Sequence, residues 1–313
     1  MIDFRFFIIS IVGVFLALGL GIVVGSGLLG EDLYDLLERR IEGVVEREHA
    51  LREEVLDLED QRDYQRDFLE TLEPQLVNGR LAGEQIVVIE VEGTDSDLVD
   101  GVERVVEESD GLNAMEMTLT NRLRLEDESS VEDLAAILGS TSPAPTELRA
   151  LLGRQLGDRL SLAAREPARL DGNRDRSQLR AREMLTQLES DGFVTFNGDG
   201  PSDLPQGSIF LLAGGASVEP PWPTVETLEP MAFELAAESG LGVIVAETSD
   251  SLWGITETIR DDSETPDIVS TVDNAETAPG RISVALALAL APETVGQWGN
   301  DEGAEAPVPT PGE

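Results

Sequence analysis

Two methionines supply the softest metal-binding groups in the sequence. Met115 and Met117 flank Glu116 in a segment that we expect to be a β-strand. Residues i and i+2 of a strand point to the same face, so the two thioethers would lie side by side. Thioether sulfur suits Cu(I), but methionine is also a flexible filler of apolar interiors. The pair therefore predicts either a copper site or a packed core.

Three aspartates form an oxygen-rich candidate site. Asp95, Asp97 and Asp100 follow the first predicted strand of the soluble part. Open α/β sheets bind ligands at the carboxyl ends of their strands, and carboxylates suit Mg²⁺ or Ca²⁺. Chance clusters are also expected, because 62 of the 313 residues are acidic. A cation site and a solvated acidic surface both remain open.

The residue types that support most enzyme chemistry are scarce. The chain contains no Cys, and its one His is His49, which excludes Cys nucleophiles and nearly excludes His-based triads. Gly214 and Gly215 follow a predicted strand, but the spacing of phosphate-binding loops is missing and the chain has no Lys. We expect these glycines to form a tight strand exit. We predict a non-enzymatic protein with no certain cofactor and with copper as a candidate ligand.

One segment is basic in an otherwise acidic chain. Residues 149–182 hold nine Arg and four acidic residues, a local net charge of +5. The segment could bind an acidic partner or ligand, or dock on the acidic surface of the protein itself. The third alternative is a set of ion pairs on helix surfaces, which is the commonest arrangement.

The whole chain has a formal net charge of −40, and all 22 of its basic residues are Arg. So acidic a protein is a poor general binder of nucleic acid, because phosphates need a cationic surface. Self-repulsion of this size destabilises a compact state in dilute salt and is screened in concentrated salt. The composition therefore favours a salt-rich setting, although a genomic bias towards Arg codons would also remove Lys.

The N-terminal segment is typical of a membrane anchor. Residues 6–30 contain no charged side chain, and 25 residues are enough to span a hydrocarbon core roughly 30 Å thick. The apolar core is too long for a cleaved signal peptide, so we assign residues 1–30 to an uncleaved anchor. Small residues at every fourth position predict a face on which two such helices could pair. These residues are Gly13, Ala17, Gly21 and Gly25.

A heptad pattern follows the anchor. Two apolar series with a period of seven interleave, which predicts a coiled-coil stalk over residues 31–74 that ends at Pro74 and Asn78-Gly79. An anchor with a small-residue face that leads into such a stalk favours a parallel homodimer. The apolar seam positions are Leu37, Ile41, Val44, Leu51, Val55, Leu58, Leu69 and Leu72.

From about residue 84 the pattern alternates between strands and helices, which is typical of an α/β domain with a mostly parallel sheet. Residues 86–91, 98–106 and 114–119 predict a parallel βαβ unit. We place this head domain at residues 84–296, followed by a disordered acidic tail at 297–313. Further strands are predicted at 193–196, 208–213, 243–246 and, as the last, 268–270, and helices at 131–138, 146–162, 175–188, 233–238, 252–259 and 279–291.

Two sequence motifs resemble one family. The N-terminal segment Met1-Ile2-Asp3-Phe4-Arg5, with the glycine-rich apolar run behind it, is similar to the N-terminus of the actinobacterial copper transporter family, of the mycobacterial copper transport protein B type. Residues 270–274 (STVDN) and 279–282 (PGRI) resemble its late motif. Members often carry a His after the N-terminal Arg, where this chain has Phe6 and Phe7.

The resemblance implies a membrane protein that faces outward from the cytoplasm and acts in copper efflux or copper homeostasis. The count of Arg residues alone would place the stalk in the cytoplasm, but large domains are often translocated regardless of charge. The alternative function is a membrane-tethered, oligomeric scaffold or binding module of the cell envelope, with an envelope protein as partner and no direct role in copper handling.

Overall fold

The computed structural model describes residues 4–28, 30–165, 173–198, 200–201, 203–237 and 240–310. The chain divides into two compact units, Met1–Asp67 and Phe68–Glu313. The first unit is helical, and the second contains the sheet.

Two helices account for the first unit. Helix α1 (Phe4–Leu28) contains a stretch, Arg5–Gly25, that is long and apolar enough to cross a membrane. Helix α2 (Gly30–Val77) covers the predicted stalk and its last residues belong to the second unit. The prediction that Pro74 contributes to ending this helix is wrong, because Pro74 lies inside the last turn. The helix ends at Val77, just before Gly79 takes a left-handed φ of +72°.

The predicted pairing faces are exposed in the single chain. A Cβ atom added to Gly13, Gly21 or Gly25 would meet no atom within 4 Å. The seam residues Ile41, Val44, Leu51, Val55 and Leu58 are all at least 50% exposed, as expected of a surface that has no partner in one chain. The side chain of Leu37 is not among those that the structure describes. The coiled coil itself stays a prediction.

The last two seam residues have a different environment. Leu69 and Leu72 are half-buried within the second unit. Val77, on the same helix, is fully buried in the core of that unit. The end of α2 is therefore an element of the α/β domain.

A mostly parallel sheet forms the centre of the second unit, which confirms the α/β prediction. In the described residues its order is β3-β2-β1-β4-β5-β6-β7, and only β3 is antiparallel to its neighbour. The predicted βαβ unit is present, because β1 and β2 pair in parallel and the helix Ser96–Glu108 lies between them in the chain. The strands are β1 (Gln85–Val91), β2 (Leu112–Leu119), β3 (Val194–Phe196), β4 (Ile209–Ala213), β5 (Val243–Ala246), β6 (Ser270–Val272) and β7 (Gln297–Trp298).

Helices cover both faces of this sheet. One apolar cluster lies between the sheet and α4 to α8, and a smaller one lies between the sheet, α3, α9 and Val77 of α2. Successive side chains of a strand alternate between the two clusters. The helices are α3 (Ser96–Glu108), α4 (Glu128–Leu138), α5 (Pro145–Ala164), α6 (Asn173–Ser190), α7 (Val225–Ala237), α8 (Ile255–Asp261) and α9 (Ala278–Leu290).

The prediction of a disordered tail from residue 297 is wrong for the residues described, which extend to 310. Gln297–Trp298 forms β7 beside β6, and Trp298 is 5% exposed in the smaller cluster. The side-chain amide of Gln297 donates to the carbonyls of Pro266 and Val269, both at 3.0 Å. The buried indole ring and these hydrogen bonds order a segment whose Pro and acidic content predicts disorder.

Two boundaries also differ from the predictions. The predicted final strand at 268–270 is Ser270–Val272, and it is followed by β7. The helix on which residues 233–238 were predicted to lie begins at Val225, and it accommodates Pro230 in its interior. Proline removes a backbone donor and usually marks a helix end, which hides the first half of α7 in the sequence.

Candidate functional site

A buried glutamate lies near the end of strand β1. Residues Ile86 and Val88 of β1 face the smaller apolar cluster, and Glu90 continues that series on the same face. Glu90 is 7% exposed. Among the residues that the structure describes, none donates a hydrogen bond to its buried Oε1 atom. A buried carboxylate oxygen without a partner is costly, so this side chain calls for a ligand or a proton.

Two further glutamates meet Glu90. In the parallel register Val88 lies beside Glu116 and Glu90 beside Thr118, so Glu90 and Glu116 share one face of the sheet. Helix α3 covers this face with Val102 and Val106, and it brings Glu103 to the same point. One carboxylate oxygen from each of the three glutamates lies within 4.8 Å of the other two. We call Glu90, Glu103 and Glu116 the carboxylate site.

Two amides fix the orientation of Glu116. Asn197 donates from Nδ2 to both Oε1 and Oε2 of Glu116, each at 3.2 Å. Asn113 donates from Nδ2 to Oε2, also at 3.2 Å. These three residues line an adjoining cavity of about 400 Å³. Glu116 is therefore the member of the carboxylate site that two amides orient and that borders a cavity.

The electrostatics of the carboxylate site favour a bound positive charge. Burial, together with the charges of Glu116 and Glu103, raises the pKa of Glu90 to about 7. The pKa of Glu103 is also raised. Burial has the largest effect, and the charge of Glu116 and a hydrogen bond with Glu116 act in the same direction. Like charges at this separation repel, so the site is stabilised by a proton or by a cation.

A second acidic cavity, of about 460 Å³, lies beside a buried ion pair. Its floor contains Glu73 of α2 and Arg281 of α9. Arg281 donates from Nε and Nη2 to the two carboxylate oxygens of Glu73, both at 2.6 Å. Nη1 donates to the carbonyl of Glu276 at 2.6 Å. This guanidinium has its donors directed at protein acceptors, so it holds α2 against α9.

A third acidic group lies at the carboxyl edge of β5, β6 and β7. Asp273 follows β6, is 1% exposed at its side chain, and pairs with Arg260 at 2.7 Å. The backbone N–H groups of Asn300 and Asp301 donate to its two oxygens at 2.8 and 3.0 Å. Burial and the charge of Asp273 raise the pKa of Asp301. The hydrogen bonds satisfy Asp273, and its role here is to hold the loop after β7.

A family model described as "Copper transport outer membrane protein, MctB" matches residues 1–309 of the chain. The chain belongs to this family. The proteins named Copper transporter MctB from Mycobacterium tuberculosis and Mycobacterium bovis are 27% identical over 322 aligned residues. The one from Mycobacterium leprae is 28% identical over 317. In each case the match covers 97% of this chain and 98% of the relative. The resemblance drawn from the two sequence motifs is confirmed.

The motif residues that resemble the MctB family have structural roles in this chain. Asp273 of the STVDN motif binds Arg260 and the loop after β7, as described above. Arg281 of the PGRI motif binds Glu73. A side chain at Gly280 would collide with the carbonyl of Asn274, so the two motifs pack directly against each other. The close approach of Gly280 to Asn274 therefore joins the two motifs in the folded chain.

The predicted thioether pair lies in the protein core. Met117 is fully buried and Met115 is 6% exposed, and both pack in the larger apolar cluster. Met115 also lines the cavity beside the carboxylate site. This placement agrees with the packing alternative, and copper binding by the pair stays a prediction.

The three predicted aspartates divide between two roles. Asp95 caps α3, because its Oδ1 accepts a hydrogen bond from the N–H of Asp97 at 2.9 Å. Asp97 and Asp100 are exposed and line the cavity beside Arg281. The structure therefore separates the capping aspartate from the two that face the cavity.

The glycine pair and the basic segment both have structural explanations. Gly215 has a φ of +132°, and its carbonyl accepts the N–H of Asp95 at 2.9 Å, which closes the strand exit as expected. In the basic segment, Arg149 is 5% exposed and donates to Glu226 at 2.6 Å. Arg182 pairs with Asp203. Both partners lie far along the chain, Glu226 on α7 and Asp203 in the loop before β4, so the contacts of these two arginines favour docking on acidic residues of the protein itself.

Sequence reasoning did not identify the carboxylate site. The signal was Glu90 itself, a single charged residue inside the buried run of residues 86–91. Glu116 alternates with Met115 and Met117, which places it on the face opposite to them. The position of Glu103 depends on how α3 packs, so the sequence holds no comparable signal for it.

Proposed function

We propose that the chain is a membrane-anchored, non-enzymatic protein of copper efflux or copper homeostasis. The observation that supports this proposal is the match of the MctB family to residues 1–309, which includes the apolar helix and the α/β domain. The relatives that share 97% of the chain length are named copper transporters.

Membrane attachment is supported by α1. The stretch Arg5–Gly25 has 21 residues, and none of them is buried in the structure. We place the remainder of the chain outside the cytoplasm, since the family description names an outer membrane. Insertion of α1 into the cell membrane is our preferred location, with the outer envelope as the alternative.

Oligomerisation is supported by the exposed faces of α1 and α2. A parallel homodimer would bring together the small residues of α1 and cover the apolar seam of α2. Apolar side chains at more than half exposure, such as Ile41 and Leu51, gain free energy when a partner helix removes them from water. An envelope protein as partner of the α/β domain is a further element of the proposal.

The non-enzymatic nature of the protein rests on composition. The chain lacks Cys, and His49 is exposed on α2. The second candidate function, a membrane-tethered scaffold of the envelope, is favoured by the burial of Met115 and Met117. Among the side chains that the structure describes, that burial leaves His49 and the carboxylates as the exposed metal-binding groups, and carboxylates are poor ligands for Cu(I).

The test uses a strain in which the chromosomal copy is deleted. We expect this strain to accumulate more copper in growth medium with added copper than the parent, and to regain the parental content when the full chain is restored. Zinc content, measured in the same samples, is the control and should not change. Unchanged copper content and tolerance in the deletion strain would remove the copper function and leave the scaffold.

A further inference from the structure

We infer that Glu90, Glu103 and Glu116 form a binding site for a hard divalent cation of the Ca²⁺ or Mn²⁺ class. The site lies between β1, β2 and α3 of the α/β domain. The inference goes beyond the proposed copper function, because it concerns oxygen ligands and a resident ion. The cation site can be disproved without disproving the copper function, and the reverse also holds.

The geometry of the three side chains suits one ion. Their carboxylate oxygens lie within 4.8 Å of one another. Ca²⁺ bonds oxygen at about 2.3–2.6 Å, so two ligands of one such ion can be up to roughly 5 Å apart. The three glutamates come from two strands and a helix, so tertiary packing brings them together. They do not form a run of acidic neighbours on one helix.

The state of Glu90 points to a ligand independently of the acidic cluster. Its side chain is more than nine-tenths buried, its carboxylate is directed at the other two, and its Oε1 accepts no hydrogen bond from the described residues. A bound cation would satisfy this oxygen and remove the repulsion among the three carboxylates. A solvated acidic patch would contain no such atom, because water would reach every oxygen.

The chemistry of the ligands selects hard ions. Carboxylate oxygens suit Ca²⁺, Mg²⁺ and Mn²⁺, whereas Cu(I) prefers sulfur. The thioethers of Met115 and Met117 pack in the cluster on the other face of β2, so they do not add soft ligands to the site. Mg²⁺ demands near-ideal octahedral geometry and loses water reluctantly, which makes Ca²⁺ and Mn²⁺ the better probes.

The surroundings provide access and support. Glu116 lines the cavity of about 400 Å³ and Glu103 is exposed, so water and an ion can approach the site at these two ligands. Asn197 and Asn113 hold the Glu116 carboxylate from outside, as outer residues hold the ligands of known metal sites. Glu103 is exposed, so it can move towards an arriving ion without disturbing the core.

The experiment titrates the full-length protein, purified in detergent micelles and stripped of metal, with CaCl₂ and separately with MnCl₂. Calorimetry at pH 8 in roughly 1 M KCl suppresses weak binding to the other acidic residues by screening. We expect one saturable site. Glu103→Gln and Glu116→Gln should each weaken it at least tenfold. Glu183→Gln, which removes the same charge from an exposed position on α6, should leave it unchanged.

A thermal unfolding series keeps the test independent of the titration. The cation should raise the unfolding midpoint of the parent chain and of Glu183→Gln, because a ligand that binds only the folded state stabilises it. Glu90→Gln keeps the shape of the buried side chain, so it should fold and show no cation-dependent rise. The absence of a saturable site in the parent chain, or an equal rise in Glu90→Gln, would overturn the inference.

Discussion

At the scale of single residues, Glu90 makes stability depend on pH. Its pKa is about 7 in the folded protein against 4.5 for an ordinary glutamate. The folded state therefore binds this proton more tightly than the unfolded state, and the free energy of unfolding falls as pH rises from 4.5 through 7. We expect a loss of about 3 kcal/mol between pH 4.5 and pH 8 from this group. Chemical denaturation of the metal-free protein at a series of pH values measures it.

Glu90→Gln is the matched variant for this measurement. Its side chain is neutral at every pH, so its stability should exceed that of the parent at pH 8 and approach it near pH 4.5. Subtracting the two curves cancels groups that both proteins share, such as Asp262, whose pKa is lowered to about 2 by hydrogen bonds from Glu264 and Thr265. A difference curve that is flat between pH 4.5 and 8 would contradict the assignment.

The Glu73–Arg281 pair is the second test at this scale. Both side chains are less than 10% exposed, and their hydrogen bonds are 2.6 Å long. Arg281→Met leaves the Glu73 carboxylate buried without its partner, which typically costs about 3–5 kcal/mol. We expect this loss in chemical denaturation of the parent and variant chains at pH 7.

Two further variants decide whether that loss comes from the unpaired charge. Replacing both partners, as Glu73→Leu with Arg281→Met, should recover a large part of the stability, because no buried charge remains. Arg182→Gln breaks a more exposed pair with Asp203 and should cost less than about 1 kcal/mol. Equal losses of stability for Arg281→Met and Arg182→Gln would show that breaking the buried pair costs no more than breaking the exposed one.

At the scale of elements, the exposed seam of α2 gives the sharpest test of the dimer. The chain has no Cys, so an introduced thiol reports without background. Leu51→Cys places the thiol on the predicted seam, and Glu53→Cys places it on the opposite side of the same helix. A parallel dimer brings the two Leu51 positions together, so oxidation of the protein in membranes should cross-link Leu51→Cys and leave Glu53→Cys largely monomeric. Equal yields, or no cross-linked species from either variant, would count against the parallel coiled coil.

Elements with strong local patterns could be predicted from the sequence. The apolar run of β1 and the apolar face of α3 lie where residues 86–91 and 98–106 predicted them, and β2 follows as expected. Two kinds of element were missed. Strand β7 has two residues, which is too short for any periodicity, and its position depends on burial of Trp298. The start of α7 was hidden by Pro230.

The carboxylate site shows why the candidate site was harder to predict than the fold. The strand pattern places Glu90 in β1 and Glu116 in β2. That Glu116 pairs with Val88, two residues before Glu90 on the same face, depends on the parallel register, which is a tertiary property. Glu103 reaches them only because α3 packs its apolar face on the same side of the sheet. Conversely, Asp95, Asp97 and Asp100 are close in sequence, and the structure divides them between a helix cap and a cavity.

At the scale of the whole molecule, negative charge is distributed over both units. Helix α2 carries acidic side chains along its exposed length, and the α/β domain adds the acidic cavity beside Arg281 and the carboxylate site. The buried Arg residues Arg149, Arg260 and Arg281 are each occupied by an acidic partner. The positive charges of these three arginines are therefore largely neutralised by their own partners. The remaining acidic side chains repel one another across the surface.

Salt should therefore stabilise this protein more than it stabilises a domain of ordinary charge. Raising ionic strength from 0.1 to 1 M shortens the Debye length from about 10 Å to about 3 Å, which removes most repulsion between surface carboxylates. With a net charge of −40, we expect the thermal unfolding midpoint to rise steadily with KCl. A chelator in every sample keeps the carboxylate site free of divalent cations, and an uncharged osmolyte at equal osmolality controls for effects other than screening. Equal midpoints at both ionic strengths would mean that self-repulsion is unimportant and that the absence of Lys reflects codon usage alone.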